Sequence, residues 1–292
     1  MFQSYRGQQW DNAARVSGVA PPAQNSMLDV EFAQLSDVGR VRPHNEDYLG
    51  HFAPSGHAQA RGHGWLFALA DGVGGQEKGE VASHAAVESM LEGFRNAPKN
   101  EPLTSLLHDL VQTANARVFE TAVATGISGA GMATTLVACA LRYDRAAVAH
   151  VGDSRCYLIR QGKTTLLTED HTVVNEQVKL GLLSAEEAAE GDTRHVLSRS
   201  LGGSLFVGVE TSELQVLPGD VLLLCSDGLH GSVTPADISQ TMGRQPDLKG
   251  AAQSLVALAN QRDGNDNISV QLIRVRSVER VGMYRGRPYK LR

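Results

Sequence analysis

Residues 133–160 read ATTLVACALRYDRAAVAHVGDSRCYLIR, and this stretch decides the fold class. Residues 133–141, 146–151 and 155–160 are apolar runs of strand length, separated by Tyr143-Asp144-Arg145 and Gly152-Asp153-Ser154. Links this short leave no room for the helix of a parallel crossover, so they favour antiparallel hairpins. Working outward, residues 30–37, 65–70, 207–217, 221–225 and 268–276 also have strand character. Apolar residues recur at helical spacing over 77–94 (Val81, Ala85, Val87, Met90, Leu91) and over 103–123 (Leu106, Leu107, Leu110, Val111, Ala114, Val118). Pro102 suits the start of the second helix. Residues 172–182, 235–242 and 248–262 also read as helices, and 184–190 as a short polar one opened by a Ser cap. Strands, two helices, strands, helices and a last strand make an α+β protein with mainly antiparallel sheet. Two sheets face to face with helices outside would bury every strand.

The bulk numbers narrow the class. The chain has 292 residues, 42% of them hydrophobic and 20% charged, which fits an ordinary globular protein. A net charge of -5 gives no sign of wholesale nucleic-acid binding. Cys139, Cys156 and Cys225 are widely spaced in apolar runs, which suits buried thiols in a reducing compartment. Residues 1–26 are polar, carry no apolar signal core and read as a flexible leader. The folded domain is expected over 27–276, with a basic tail over 277–292. No stretch approaches the roughly 18 apolar residues of a membrane span, so a cytoplasmic protein is expected.

The chemistry is carried by acids at strand ends. Asn45-Glu46-Asp47, Asp71-Gly72-Val73-Gly74-Gly75, Ser226-Asp227-Gly228 and Asp266-Asn267 are far apart in sequence, and apolar runs flank the last three. Carboxylates gathered there would repel strongly unless a cation sat between them. Asp47, Asp71, Asp227 and Asp266 offer the hard oxygens that Mg2+ or Mn2+ prefers, and Gly72 lets the backbone come close to an ion. Four acids suit two ions that share a bridging ligand and acidify a water between them into a hydroxide nucleophile. Zinc is the weaker expectation, since none of the ten histidines forms a ligand pair such as HExxH. Arg42, just upstream of Glu46, can clamp phosphate oxygens, which points to phosphoryl chemistry.

At these residues a family resemblance becomes specific. Arg42-Pro43-His44-Asn45-Glu46-Asp47 resembles the RxxNED opening of the PP2C-type metal-dependent protein phosphatases, in their bacterial branch. Asp71 to Gly75 resembles the DGxGG loop, and Gly131-Met132-Ala133-Thr134-Thr135 the GTT segment. Asp153 lies in a GDSR segment, Thr168 to Thr172 is similar to T-x-D-H-S/T, Asp227 lies in SDGL, and Asp266 opens D-N-[IV]-[ST]. The order is the family's, and the similarity spans residues 32–275.

The resemblance implies a four-layer α-β-β-α sandwich, two mainly antiparallel sheets flanked by helix pairs, with metals at one end. It implies hydrolysis of phosphoserine and phosphothreonine in proteins. Asp71 would bridge two Mn2+ or Mg2+ ions, Gly72 would offer its carbonyl to the second, and Asp227 and Asp266 would bind the first. Glu46 and Asp47 would hold metal-bound waters, or Asp47 would ligate directly. Asp153 would join Asp227 at a third, weaker site, and Arg42 would bind the substrate phosphate. Some members carry a histidine, a candidate general acid, in the DGxGG loop; Val73 stands there in this chain. His44 lies nearby, and the acid stays unassigned.

Each feature has a plainer counterpart. Asp-Gly and Asp-Asn also build turns, Arg42 could be a surface charge, and His171 reads better as a structural hydrogen-bonding residue than as a catalyst. Residues 172–199 read either as a solvated helical loop or as a flap beside the site. Arg199 resembles a family position without a clear role. The tail, with Arg280, Arg285, Arg287, Lys290 and Arg292 against Glu279, reads as a solvated terminus, or as a dock for an acidic partner such as a cognate kinase or its substrate. The expected partners are phosphorylated proteins, with neither nucleic acid nor membrane, and the expected state is monomeric. The alternative reading is a catalytically silent phosphoprotein-binding module on the same fold. A two-metal nuclease is a third, and it lacks a basic groove.

Overall fold

A computed structural model describes residues 27–73, 78–126, 131–184, 187, 196–284 and 287–290. One sheet runs in the order β1 (Asp29–Asp37), β11 (Ile268–Ser277), β10 (Val221–Cys225), β7 (Arg155–Arg160), β8 (Lys163–Leu166). The other runs β2 (Asp47–Phe52), β3 (Trp65–Val73), β5 (Leu136–Arg142), β6 (Arg145–Val151), β9 (Glu210–Gln215), with β4 (Ala133–Thr134) on the end of β3. Every pairing in both sheets is antiparallel.

Side-chain alternation explains the layers. In β3 and β5, Leu66, Ala68, Ala70, Ala138 and Ala140 face α2 (Gly79–Asn96) and α3 (Leu103–Ala124), while Phe67, Leu69, Val137, Cys139 and Leu141 face the opposite sheet. Alanines on the helix side let the helices lie close, and the bulk of Phe67 and Leu69 fills the gap between sheets. The second sheet repeats this scheme. Tyr157, Leu223, Cys225 and Val270 pack with residues of α6 (Pro235–Arg244) and α7 (Leu248–Arg262), whereas Cys156, Leu222, Leu224 and Ile273 face inward. The result is the expected α-β-β-α sandwich. Since both faces of β5 are covered, its seven residues are all buried.

Most expected elements stand where the patterning puts them, and a few differ. The link at residues 143–145 makes a hairpin between β5 and β6. Gly152-Asp153-Ser154 does not: β6 has both edges occupied, by β5 and β9, so the chain turns a corner and β7 enters the other sheet. Strand 133–141 breaks at Thr135, whose N–H donates to the Asp71 carbonyl at 2.8 Å. The expected strand 207–217 is trimmed to β9, with Val207 and Val209 packed against the helix-side core. Pro102 stands at the N-cap of α3 rather than inside it. The patterning misses β2, α1 (His57–Gly62) and β8. It also misses the hairpin of β12 (Val281–Tyr284) and β13 (Arg287–Lys290) in the basic tail.

The helix over 172–182 is seen as α4 (Val173–Lys179), with Thr172 as its cap. The expected leader, Gly74 and Gly75 of the glycine loop, and most of the helix expected over 184–190 fall outside the described residues. Among the described residues no helix is long and apolar enough to cross a membrane.

Candidate metal centre

Antiparallel register starts the site. Asp47, the first residue of β2, lies directly opposite Asp71 in β3. Cross-strand partners share a face, so two like charges stand side by side, a destabilising arrangement in an ordinary sheet. Asp47 is buried; its Oδ2 accepts the Ser226 hydroxyl at 2.8 Å, and its Oδ1 has no hydrogen-bond partner. Burial, reinforced by Asp227 and Asp266, pushes its carboxyl up to about 7.

Asp71 is held through its backbone. Its N–H donates to Thr135 Oγ1 at 3.0 Å, and its carbonyl accepts from the Thr134 hydroxyl at 2.8 Å. The GTT segment therefore acts as a clamp behind the acid. Burial, then the charges of Asp47, Asp227, Asp153 and Asp266, raises the Asp71 carboxyl well above the carboxylate range. That set of interactions shows that acids from four other chain segments converge on Asp71.

Gly72 donates its N–H to the Glu46 carbonyl at 3.1 Å and packs against the start of α2. A Cβ there would come within 2.4 Å of the Gly79 carbonyl, so no other residue fits. Glu46 is held by Ser83, whose hydroxyl donates to its carbonyl at 2.6 Å. Burial and Glu80 raise its carboxyl, while Arg42 pulls it down.

Asp227 opens the single turn α5 (Asp227–His230), directly after β10. Asp153 sits at the corner between the sheets, 6% exposed, and burial with the charges of Asp227 and Asp170 pushes it up to about 7. Asp170 is itself gripped by Arg155, in two bonds of 2.8 and 2.6 Å. Asp266 precedes β11 and accepts Arg42 Nη2 at 2.7 Å; both side chains remain partly open to solvent. Arg42 thus reaches the acids through Asp266. Val73 is 38% exposed and offers no proton. His171 is 1% exposed and bonded to Gly152 and Glu210, a structural placement.

One residue at the site was not singled out from the sequence. Asn267 is 4% exposed and ties the β1–β2 loop to the start of β11: its Oδ1 accepts the Glu46 N–H at 2.8 Å, and its Nδ2 donates to the Val38 and His44 carbonyls at 3.0 and 2.9 Å. The D-N-[IV]-[ST] segment contains it without assigning it a role, and the Asp-Asn pair reads equally as a turn.

The donors are all oxygen, they repel one another, and a buried carboxylate oxygen of Asp47 has no partner. A hard divalent cation would satisfy each of these features, so the residues fit the expected ions.

Comparison with known proteins agrees with this geometry. Residues 43–265 match the protein phosphatase 2C family. The chain is 34% identical to a serine/threonine phosphatase stp from Listeria innocua over 255 residues, 86% of this chain and 96% of that protein. Its fold matches a serine/threonine phosphatase structure from S. agalactiae with a TM-score of 0.77 at 34% identity, covering 85% of this chain and 100% of the other. It also matches the catalytic domain of the serine/threonine phosphatase PstP in complex with two manganese ions, with a TM-score of 0.72 at 32% identity, covering 85% and 99%.

Proposed function

This chain belongs to the protein phosphatase 2C family, and from that premise we propose that it hydrolyses phosphoserine and phosphothreonine in proteins with the help of two Mn2+ or Mg2+ ions. The observation that carries this reading is the convergence of Asp47, Asp71, Asp153, Asp227 and Asp266 beside Arg42. The related phosphatases, one of them holding two manganese ions, support it.

Asp71 would serve both ions, Gly72 would offer its carbonyl to the second, and Asp227 and Asp266 would hold the first. Glu46 and Asp47 would hold water near the ions, or Asp47 would ligate directly. Asp153 and Asp227 would form a third, weaker site. When bound, the ions supply an acidified water as nucleophile and draw charge from the phosphoryl oxygens. Arg42 receives the substrate phosphate and stabilises the charge on the group in transit. Its bond to Asp266 holds the guanidinium at the edge of the acid cluster until then. Val73 cannot protonate the leaving alkoxide, so that proton comes from another donor.

No cysteine competes as nucleophile: Cys139, Cys156 and Cys225 are buried, and burial raises all three thiols. Buried free thiols also suit the cytoplasm, where the enzyme would act as a monomer opposite a serine/threonine kinase. A silent binding module could dispense with a core acid, yet Asp71, Asp227 and Asp266 are all present.

The test is phosphate release from a phosphothreonine peptide with Mn2+, with and without chelator. Release that depends on the ion is expected; release that survives chelation overturns the two-metal mechanism.

A further inference from the structure

A second group of ligating side chains lies behind Asp153. His150 in β6, His171 and Glu210 at the start of β9 bring donor atoms within 4.8 Å of one another. The set has the composition of a zinc site, but its protons are in the wrong places. The Gly152 N–H points at His171 Nδ1 at 3.2 Å, so that nitrogen offers its lone pair. The ring proton then sits on Nε2, which faces a Glu210 oxygen at 3.1 Å. His150 Nε2 donates in turn to the Glu169 carbonyl at 2.8 Å. A ligating nitrogen has to be bare, and both of these carry hydrogen. Burial lowers the affinity of both rings for a further proton, so they stay neutral. The two rings stack at 4.7 Å. The cluster is a hydrogen-bonded clamp, not a metal cage.

What it clamps is the corner between the sheets. His171 engages both peptide groups of Gly152: its ring Nδ1 accepts the amide, and its backbone N–H donates to the carbonyl at 3.0 Å. Gly152 has φ +100°, and a Cβ would fall 2.7 Å from Thr135, so no side chain can wedge this turn in place. The next pins are His230 Nε2 on the Asp153 carbonyl at 2.9 Å and the Ser154–Thr135 hydroxyl contact at 2.7 Å. His171 also connects outward, through Glu210 to Arg199, whose Nη1 lies 3.3 Å from the same Glu210 oxygen.

We infer that His171, held as its Nε2–H tautomer by Glu210, is a positioning residue for Asp153 and so for the weaker third cation site. This rests on the reading of Asp153 as a ligand. Nothing touches substrate in this role; the effect passes through the Gly152 peptide.

Mn2+ titration of the whole protein, followed by calorimetry and electron paramagnetic resonance, tests it. Wild type should show tight binding plus a weaker event that Asp153→Asn removes. His171→Leu should weaken that event about 10–100-fold and leave tight binding unchanged. His171→Asn places an amide oxygen near the Nδ1 position, keeps the acceptor for Gly152, and should return the affinity to within about threefold of wild type. A weaker event that is missing from wild type, or that survives Asp153→Asn, removes the ligand reading and this inference with it. If Asp153→Asn behaves as expected but His171→Leu binds like wild type, or the Leu and Asn variants are equally impaired, the positioning role alone is wrong. Should His171→Leu fail to fold, Glu210→Ala takes its place: imidazole nitrogen shifts should report mixed tautomers and the weaker affinity should fall. Mixed tautomers with unchanged affinity overturn the inference.

Discussion

Strand β10 has an aspartate just before its start and another just after its end, and the two ends of the sandwich treat them in opposite ways. Asp220 is 2% exposed and fully answered: Arg160 grips it with Nε and Nη2 at 2.8 and 2.7 Å, and the Leu217 N–H adds a bond of 2.7 Å. At the other end Asp227 raises the proton affinity of Asp47, Asp71 and Asp153. The same residue type on the same strands is a structural tie at one end and a cation trap at the other. The cations differ: Arg160 grips the first end with two bonds, whereas at the second Arg42 pairs with Asp266 at the edge and the buried carboxyls of Asp47 and Asp71 suit a cation supplied from outside.

The largest effect should come from breaking the trap. Asp71→Asn is expected to lower kcat about 10²–10³-fold in phosphopeptide turnover, by analogy with loss of a preorganised charge-stabilising group. The same variant should melt higher than wild type in chelator, since it removes a buried carboxyl that costs free energy whether it is ionised beside Asp47 or held protonated. A lower melting temperature would contradict the repulsion described here.

Breaking the tie should do the reverse. Asp220→Asn is expected to cost about 1–3 kcal/mol in denaturant unfolding, with kcat per folded molecule unchanged. Arg160 is 36% exposed, so water softens the loss.

Acidity should separate the ends next. Asp47 and Asp153 titrate at about 7 in the fold, against roughly 3.9 unfolded. Between those values the folded state binds more protons, so the metal-free protein loses stability as pH rises. His51, His150 and His171, lowered by burial, act in the opposite sense below roughly 6.5. Melting in chelator should therefore show a fall on the order of 1 kcal/mol from pH 6.5 to 8. Saturating Mn2+ should abolish or reverse that slope, because the ion competes with protons. A chelated protein whose stability rises over this range would count against the carboxylate cluster.

The smallest effect belongs to the hairpin at the answered end. Tyr143 has φ +61°, a conformation that costs a non-glycine residue roughly 1–2 kcal/mol. Tyr143→Gly relieves that strain but loses the ring contact with Arg142, so stability should stay within about 1 kcal/mol of wild type and metal affinity should not move.

Much of this was legible in the sequence because it is local. Strands buried on both faces appear as unbroken apolar runs, and an acid beside such a run is visible without a fold. The corner at residues 152–154 was not legible, since a three-residue link is compatible with either a hairpin or a change of sheet. The choice falls to β9, which pairs β6 from some sixty residues further along. Strand β2 was hidden because its sequence, DYLGHF, mixes polar and apolar residues. Its Gly50 lies where a Cβ would meet Val87 and Leu91 of α2 at 2.5 and 2.8 Å, a constraint that only packing reveals. Asn267 was missed for the same reason: three positions of the one β1–β2 loop bind its side chain only after β11 has been placed beside β1.

The buried cysteines have a use that their inertness makes possible. Cys139 and Cys156 sit between the two sheets, and Cys225 lies beneath the helices of one outer layer. Each thiol can react only when its own layer opens. The natural sequence thus carries a set of internal clocks: thiol labelling of the native protein would time the parting of the sheets separately from the peeling of a helix pair, with no engineered probe.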